Sequence, residues 1–285
     1  MTGQKGIKTM NVENEGRRPL VTVHGALSDH RIYGPMVGKL GRRRRVITYD
    51  QAYFGKAAWP DEGQGFSRQR HEDDLIALIE GMETGPVDLF AWSYGGDVAM
   101  HAILRRPDLF HAVVLFDPSV GAVLRHIPEA DAAKSQFLDA LQPSLQLISD
   151  GDELAAARAF FAGVTGLRLT EIEGFGTDVA TILADNARTL VPFLNALTGG
   201  GGPDIDAGAL ARLSSPALIV TGERSLLRYN LIADWLCAHC HGAEREVLKG
   251  TTHFGPWEKA HELADLAERF LTQAAQRPKT GEIAA

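Results

Sequence analysis

The segment Ala91-Trp92-Ser93-Tyr94-Gly95-Gly96 decides the fold, because it lies between a strand-like run and a helix-like run. The preceding run, Val87-Asp88-Leu89-Phe90, is short and mostly apolar, as in a buried strand, and the following residues have the apolar spacing of a helix. A serine at such a turn needs small residues two positions before and after it, here Ala91 and Gly95, and its hydroxyl then projects from the sheet. Ser93 is therefore the candidate nucleophile.

The same alternation of strands and helices extends outward from this turn and predicts an α/β fold. From Pro19 onward the pattern is typical of a mostly parallel sheet that is covered by helices on both faces. The predicted strands are residues 20–23, 46–49, 87–90, 112–116, 217–220 and 245–248. The predicted helices lie at about residues 28–40, around 75–79, and at about 96–105, 230–238 and 261–274.

Residues from about 120 to 210 interrupt this alternation. They have the pattern of several helices without a convincing strand, which indicates an inserted helical lid. Its end is marked by residues 198–206, a stretch with four consecutive glycines that we interpret as a flexible joint. The predicted organisation is a core of residues 1–119 and 211–285 with a lid of residues 120–210.

The composition predicts a globular protein that acts on a small molecule. With 285 residues and 45% hydrophobic content, the chain is able to bury a substantial core. Its formal net charge is -7, and its one dense basic run is Arg42-Arg43-Arg44-Arg45. We interpret this run as the solvated end of a helix rather than as a nucleic-acid or membrane-surface patch. The expected partner is a small-molecule substrate, with no nucleic acid and no membrane, and homo-oligomerisation stays open.

Two further features concern location and the thiols. No apolar stretch approaches the roughly 20 residues that span a bilayer, and residues 1–10 lack the apolar region of a signal peptide, so we expect a cytoplasmic protein. Cys237 and Cys240 lie near the end of a helical pattern, where the helix dipole disfavours thiolates. We interpret them as structural thiols, and no metal site is predicted.

The stretch His24-Gly25-Ala26 follows the first strong strand. In an open parallel sheet the ligand crevice lies outside the carboxyl ends of the strands, where this turn and Ser93 both emerge. The amides of Ala26 and Tyr94 are the candidate oxyanion hole. Gly25 allows the backbone to bend, and His24 is expected to brace the loop.

Among the ten histidines, His253 has the best position for a general base. It lies in Lys249-Gly250-Thr251-Thr252-His253-Phe254-Gly255, between the last predicted strand and the last predicted helix. A loop at that place reaches the same crevice as Ser93. The other histidines lie mostly within helical patterns or at their ends, where a packed or solvated imidazole is the usual case.

The order and content of these segments resemble the alpha/beta-hydrolase superfamily over essentially the whole chain. The matching residues are His24-Gly25, the turn around Ser93, Asp117 or its alternatives, and His253. The resemblance implies a Ser-His-acid triad in which the histidine takes the serine proton, the acid orients the histidine, and two amides hold the oxyanion. Ala91 departs from the commonest pattern, since a glycine usually begins this turn.

The identity of the acid is the second departure from the family pattern. The family usually has an aspartate shortly after the penultimate strand, where this chain has Thr221-Gly222-Glu223-Arg224-Ser225, with Ser225 at the expected position. Asp117, before Pro118, ends the strand next to that of Ser93 and is our preferred acid. Glu223 is the alternative acid. A third possibility is that Asp117 only caps a turn and the chain has no functional acid.

The resulting hypothesis is hydrolysis of an ester, lactone or related acyl bond in a small, largely apolar substrate, without a cofactor. The candidate pocket residues are His24, Gly25, Trp92, Tyr53 and Phe54, together with the lid. Two alternatives stay open. One is hydrolysis of a carbon-carbon bond on the same triad, and the other is a non-catalytic ligand-binding sensor of the same fold.

Overall fold

A computed structural model describes residues 8–10, 17–198 and 205–277, so most of the predicted glycine joint lies outside the described residues. The strands are β1 (Lys8–Met10), β2 (Leu20–Val23), β3 (Val46–Thr48), β4 (Val87–Trp92), β5 (Phe110–Phe116), β6 (Ala217–Gly222) and β7 (Glu244–Leu248). These segments form one sheet in the order β1-β3-β2-β4-β5-β6-β7. β1 pairs antiparallel with β3, and every other pairing is parallel.

Helices cover the sheet and form the long connection between β5 and β6. Those before β6 are α1 (Gly34–Leu40), α2 (Arg68–Glu80), α3 (Tyr94–Arg105), α4 (Ala130–Ser149), α5 (Glu153–Thr165), α6 (Leu169–Glu173), α7 (Thr177–Asn186), α8 (Leu190–Thr198) and α9 (Ala207–Ala211). Those after β6 are α10 (Leu227–His239), α11 (Gly255–Glu258) and α12 (Ala260–Gln276). Within the described ranges, none is long and apolar enough to cross a bilayer.

The predicted α/β fold class is confirmed, and the differences concern the ends of elements. β1 was not predicted, because three residues at a sheet edge are too short for a recognisable pattern. α3 begins at Tyr94 rather than near Gly96, since glycines in the first turn of a helix conceal its start from a propensity argument. Residues 28–40 divide into a short 3₁₀ turn, His30–Tyr33, followed by α1.

The buried central strands fix the positions of the loops at their carboxyl ends. Every residue of β2 and β4 is buried, so both faces of these strands pack against helices. The strands run parallel from β3 to β7, so their carboxyl ends lie at one edge of the sheet. The loops that follow β2, β4, β5, β6 and β7 therefore meet there.

The connection between β5 and β6 carries α4 to α8, which we call the cap helices, and the described part of it contains no strand. Asn186 at the end of α7 attaches these helices to the core. Its side-chain amide donates to Asp29 Oδ2 at 2.7 Å, and its carbonyl oxygen accepts from the Gly55 amide at 2.7 Å. The predicted boundaries of the lid, 120 and 210, stay a prediction.

Arg44 corrects the interpretation of the basic run as a solvated helix end. Arg42 and Arg43 are exposed, but Arg44 is only 2% exposed. Its guanidinium donates to Asp88 Oδ2 on β4 and to Glu268 Oε2 on α12, both at 2.7 Å. Because both partners are buried carboxylates far away in sequence, this arginine joins a strand to the last helix.

We expect Arg44→Ala to lower the free energy of unfolding by up to about 3–5 kcal/mol, because Asp88 and Glu268 lose the buried cation that they share and keep only the more exposed partners His111 and Arg17. Arg43→Ala is the matched control from the same run, and its effect is expected within about 0.5 kcal/mol. Urea denaturation of both variants beside the wild type measures the difference. Equal stability of the two variants would show that the buried ion pairs do not hold α12 to the sheet.

Candidate active site

Ser93 lies in a strained turn between β4 and α3. Its φ of 55° and ψ of -122° place it in a region that residues with side chains rarely adopt. Its amide donates to the carbonyl of Phe116 at 3.1 Å, which ties the turn to β5. A Cβ on Gly95 would lie 2.3 Å from the carbonyl oxygen of Val23, so α3 approaches β2 too closely for any larger residue. The small residue expected two positions after Ser93 is thus required by packing.

Ser93, His253 and Asp117 form a continuous chain of hydrogen bonds. His253 Nε2 lies 2.8 Å from Ser93 Oγ, and His253 Nδ1 lies 3.0 Å from Asp117 Oδ2. Because a carboxylate only accepts, Nδ1 carries the hydrogen and Nε2 is left to accept from the serine hydroxyl. Both the imidazole and the carboxylate are almost completely buried. The structure therefore brings together the three residues of the predicted triad.

Ser225 and Gly222 hold the carboxylate of Asp117. The Ser225 hydroxyl donates to Asp117 Oδ2 at 2.5 Å, and the Gly222 amide donates to Asp117 Oδ1 at 3.3 Å. Glu223, the alternative acid, is exposed and accepts from the Gly250 amide at 2.9 Å. The position where the family usually has its acid thus supplies a hydroxyl donor to a carboxylate on the neighbouring strand.

The loop that carries His253 is held from three sides. The indole of Trp92 donates to the carbonyl of His253 at 2.8 Å. The ring of Tyr229 stacks on the imidazole with centroids 4.0 Å apart. Glu258 accepts from the Thr252 amide at 2.8 Å. Tyr229 and Glu258 were missed from sequence, because neither carries a motif and only the folded chain brings Tyr229 to His253.

Ala26 and Tyr94, the residues of the candidate oxyanion hole, both line the cavity that contains Ser93. Within the described residues, neither of their backbone amides donates to another protein group. Tyr94 is also the first residue of α3, and the N-terminal end of a helix favours negative charge. Two residues whose amides are unpaired therefore line the same cavity as Ser93.

His71 fixes the side chain of Tyr94. His71 Nε2 donates to the carbonyl of Ala52 at 3.0 Å, so its Nδ1 accepts from the Tyr94 hydroxyl at 2.7 Å. Burial lowers the pKa of His71 to about 3, which keeps this imidazole neutral and able to accept. The hydrogen of the Tyr94 hydroxyl is therefore engaged by His71 and is not available to a substrate.

The cavity beside Ser93 is narrow and largely apolar. Its volume is about 20 Å³, which leaves room for about one water molecule. The cap helices α4, α5 and α8 supply most of its apolar wall through Phe137, Phe160, Phe161, Val164, Phe193 and Leu197. A substrate larger than water therefore has to displace some of these side chains.

Of the predicted pocket residues, only Trp92 lines this cavity. His24 instead braces two loops, since its Nε2 accepts from the Gln51 amide at 3.1 Å and its Nδ1 donates to the carbonyl of Gly25 at 2.8 Å. Burial lowers the pKa of His24, so it stays neutral. Gly25 packs against the ring of Trp92, where a Cβ would lie 3.0 Å from the indole.

Tyr53 and Phe54 also do not line the cavity, contrary to the prediction. The hydroxyl of Tyr53 donates to Asp61 Oδ2 at 2.9 Å within its own loop. Phe54 is buried between the rings of His24 and Tyr94, behind the wall. The loop after β3 turns away from Ser93, and this path depends on packing that the local sequence does not encode.

One group of described residues has a spacing that suits a metal ion, namely Asp29, His30 and Asp50, whose candidate ligand atoms lie within 4.8 Å of one another. These atoms already have protein partners. Asp29 pairs with the guanidinium of Arg31 at 2.6 Å, and Asp50 Oδ1 lies 2.6 Å from His30 Nδ1. The carboxylates are thus engaged by donors that hold the loop, and nothing in this arrangement indicates a resident ion.

The two cysteines are free thiols. Burial raises the pKa of Cys237 to about 11 and that of Cys240 to about 12, so neither thiol ionises readily. Both lie at the end of α10 or just after it, as the sequence pattern suggested.

Comparison with known proteins gives a consistent result. A model of the alpha/beta hydrolase family matches residues 20–266 of this chain. The uncharacterized hydrolase YugF of Bacillus subtilis is 30% identical over 273 residues, which cover 91% of this chain and 92% of that protein. Lipase LipV of Mycobacterium tuberculosis is 30% identical over 127 residues, and this match spans 44% of this chain and about half, 47%, of the lipase.

A solved structure extends the likeness to the fold. The structure of MenH from S. aureus superposes with a TM-score of 0.75 and covers 95% of this chain and 99% of its own. The sequence identity is 19%, so this likeness is one of architecture alone.

The close approach of α3 to β2 predicts that Gly95→Ala destabilises the protein by about 1–3 kcal/mol or more, because the added methyl group overlaps a backbone carbonyl. Gly38→Ala is the matched control, since Gly38 lies within α1 and its Cβ would meet nothing within 4 Å. The control is expected to gain about 0.5–1 kcal/mol from helix propensity. Chemical denaturation measures both values, and a Gly95→Ala variant as stable as wild type would exclude a tightly packed turn.

Proposed function

Because the chain belongs to the alpha/beta hydrolase family and is a hydrolase, we propose that it cleaves an ester, lactone or related acyl bond of a small, largely apolar substrate, with Ser93 as the nucleophile. The observation that carries this proposal is the hydrogen-bonded chain from Ser93 through His253 to Asp117, with lengths of 2.8 and 3.0 Å. A serine hydroxyl, an imidazole that accepts its proton and a carboxylate that orients the imidazole are the groups that acyl transfer requires.

Acylation begins with the proton of the Ser93 hydroxyl. His253 Nε2 accepts this proton as Ser93 Oγ attacks the carbonyl carbon of the substrate. Asp117 stays ionised, holds the Nδ1 hydrogen and stabilises the imidazolium that forms. The imidazolium then gives its proton to the leaving alcohol oxygen, so that the acyl group remains on Ser93. Hydrolysis of this ester repeats the sequence with water as the nucleophile.

The negative charge of each tetrahedral intermediate needs donors that are already in place. The amides of Ala26 and Tyr94 have no acceptor among the described residues, and both residues line the cavity that contains Ser93. Two such preorganised donors stabilise the oxyanion more than the ground-state carbonyl, and this difference lowers the barrier. The N-terminal end of α3 adds to the same effect.

The wall of the cavity supports an apolar acyl or alcohol group. Phenylalanine side chains of the cap helices, including Phe160 and Phe193, line the cavity that contains Ser93. Burial of apolar substrate surface against them stabilises the complex by about 25 cal/mol per Å². The tight fit in the absence of substrate favours small substrates over bulky ones.

Ser93→Ala is expected to lower kcat by about 10³ to 10⁶ without loss of fold, since its hydroxyl carries the chemistry. Hydrolysis of a panel of 4-nitrophenyl esters and of lactones, read beside thermal unfolding, measures the effect. A fluorophosphonate probe should label the wild type and not the variant. If the wild-type protein neither labels nor turns over any ester or lactone, the proposed acyl hydrolysis is excluded.

Asp117→Asn is expected to cost about 10⁴ in kcat, the value known for the corresponding change in a serine protease, because the charge that stabilises the imidazolium is lost. Glu223→Gln is the matched control and should stay within a few-fold of wild type, since Glu223 is exposed and bonds the Gly250 amide. The measurement is kcat on one ester, with unfolding temperatures for both variants. The reverse ranking would assign the acid to the loop after β6.

A further inference from the structure

Arg228, the second residue of α10, is a buried cation without an anionic or hydrogen-bonding partner among the described residues. Arg228 is 7% exposed, and its guanidinium forms no hydrogen bond and no ion pair with the described residues. The Nε atom is fully buried and unpaired. Burying a charge without a counter-ion is costly, so an arginine kept in this state calls for an anion that the described residues do not supply.

Asp97 is the nearby acidic group with an electrostatic effect on Arg228, and it does not neutralise it. Asp97 forms no ion pair with Arg228, and the basic side chains closest to it among the described residues are His101 at 3.8 Å and Arg68 at 4.0 Å. Burial raises the pKa of Asp97 to about 7, which weakens any compensating charge near neutral pH. Burial also lowers the pKa of Arg228, as expected for a buried guanidinium that has no carboxylate close to it.

The guanidinium packs against two of the rings that line the cavity that contains Ser93. Its central carbon is 3.7 Å from the ring centroid of Phe137 and 5.6 Å from that of Tyr229, and both rings line the cavity. On another side, a Cβ at Gly121 would lie 3.6 Å from Arg228 Nη2, so the missing side chain leaves room there. One ring therefore separates the charge from the space where a substrate has to enter.

We propose that Arg228 binds a carboxylate carried by the substrate, at the end of the cavity remote from the scissile bond. This inference rests on the proposed function and specifies its substrate class as an acyl compound with an apolar chain and a terminal acid. The chain packs against the phenylalanines of the cap, and the carboxylate supplies the counter-ion that Arg228 lacks. The planar guanidinium matches a carboxylate with two parallel hydrogen bonds, which a neutral chain end does not offer.

The test compares two esters that differ mainly in this charge, mono-4-nitrophenyl adipate and 4-nitrophenyl hexanoate. The wild type should favour the adipate in kcat/KM. In Arg228→Gln, the ratio of the two kcat/KM values should fall by about 10- to 100-fold, the usual weight of a charged hydrogen bond. Arg228→Lys keeps the positive charge but not the two parallel hydrogen bonds, and it should retain part of the preference for the adipate ester. Arg224→Gln, at an exposed arginine four residues away, should leave the ratio unchanged.

An arginine that serves only to pack on Phe137 would give a different result. Both esters would then lose kcat/KM in proportion, and the ratio would stay at its wild-type value, which overturns the proposal.

A second measurement does not depend on turnover. Hexanoate should bind the Ser93→Ala variant more tightly than hexanamide does, by calorimetry, and this preference should vanish when Arg228→Gln is added. Equal binding of the two compounds also overturns the proposal, whereas failure of the proposed function appears as absent turnover and absent fluorophosphonate labelling in the wild type.

Discussion

The left-handed backbone of Ser93 is the constraint on which the rest of the site depends. A positive φ at a residue with a Cβ is unfavourable in isolation and persists only where its surroundings enforce it. Here β5 supplies an acceptor for the Ser93 amide, and the Ser119 amide donates to the Ser93 carbonyl at 2.9 Å. Gly95 allows α3 to approach the end of β2, so the strand, the turn and the helix reinforce one another.

A second strained residue, Asp117, follows the next strand along the sheet, with a φ of 42°. Its amide donates to the carbonyl of Val220 at 2.8 Å, so β6 holds its backbone just as β5 holds that of Ser93. Donors on the loop after β6 and on the histidine loop then surround its carboxylate. This compensation explains how a fully buried acid remains compatible with a stable fold, since each lost contact with water is replaced by a protein donor.

The parts of this arrangement that sequence predicts are those set by local pattern. The strands, the turn at Ser93 and the loop of His253 follow from periodicity and from the rule that parallel strands end at one edge. The hydrogen bond from Ser225 to Asp117 was not predicted, although the unusual serine was visible, because it joins residues 108 positions apart. Arg44 was misinterpreted for the same reason, since its two carboxylates come from a distant strand and the last helix.

The cap helices leave the sheet after β5 and return at β6, and these two strands are direct neighbours, with Val113 opposite Ala217. The hydrogen bonds between β5 and β6 therefore do not depend on a particular length of the intervening chain. Doubling the length of a flexible connection costs only about 0.6 kcal/mol of loop-closure entropy. An excursion anchored in this way behaves as an exchangeable module. Insertions, deletions or substitutions in the cap helices can therefore change the lining of the cavity, while the strands that carry Ser93 and Asp117 keep their register.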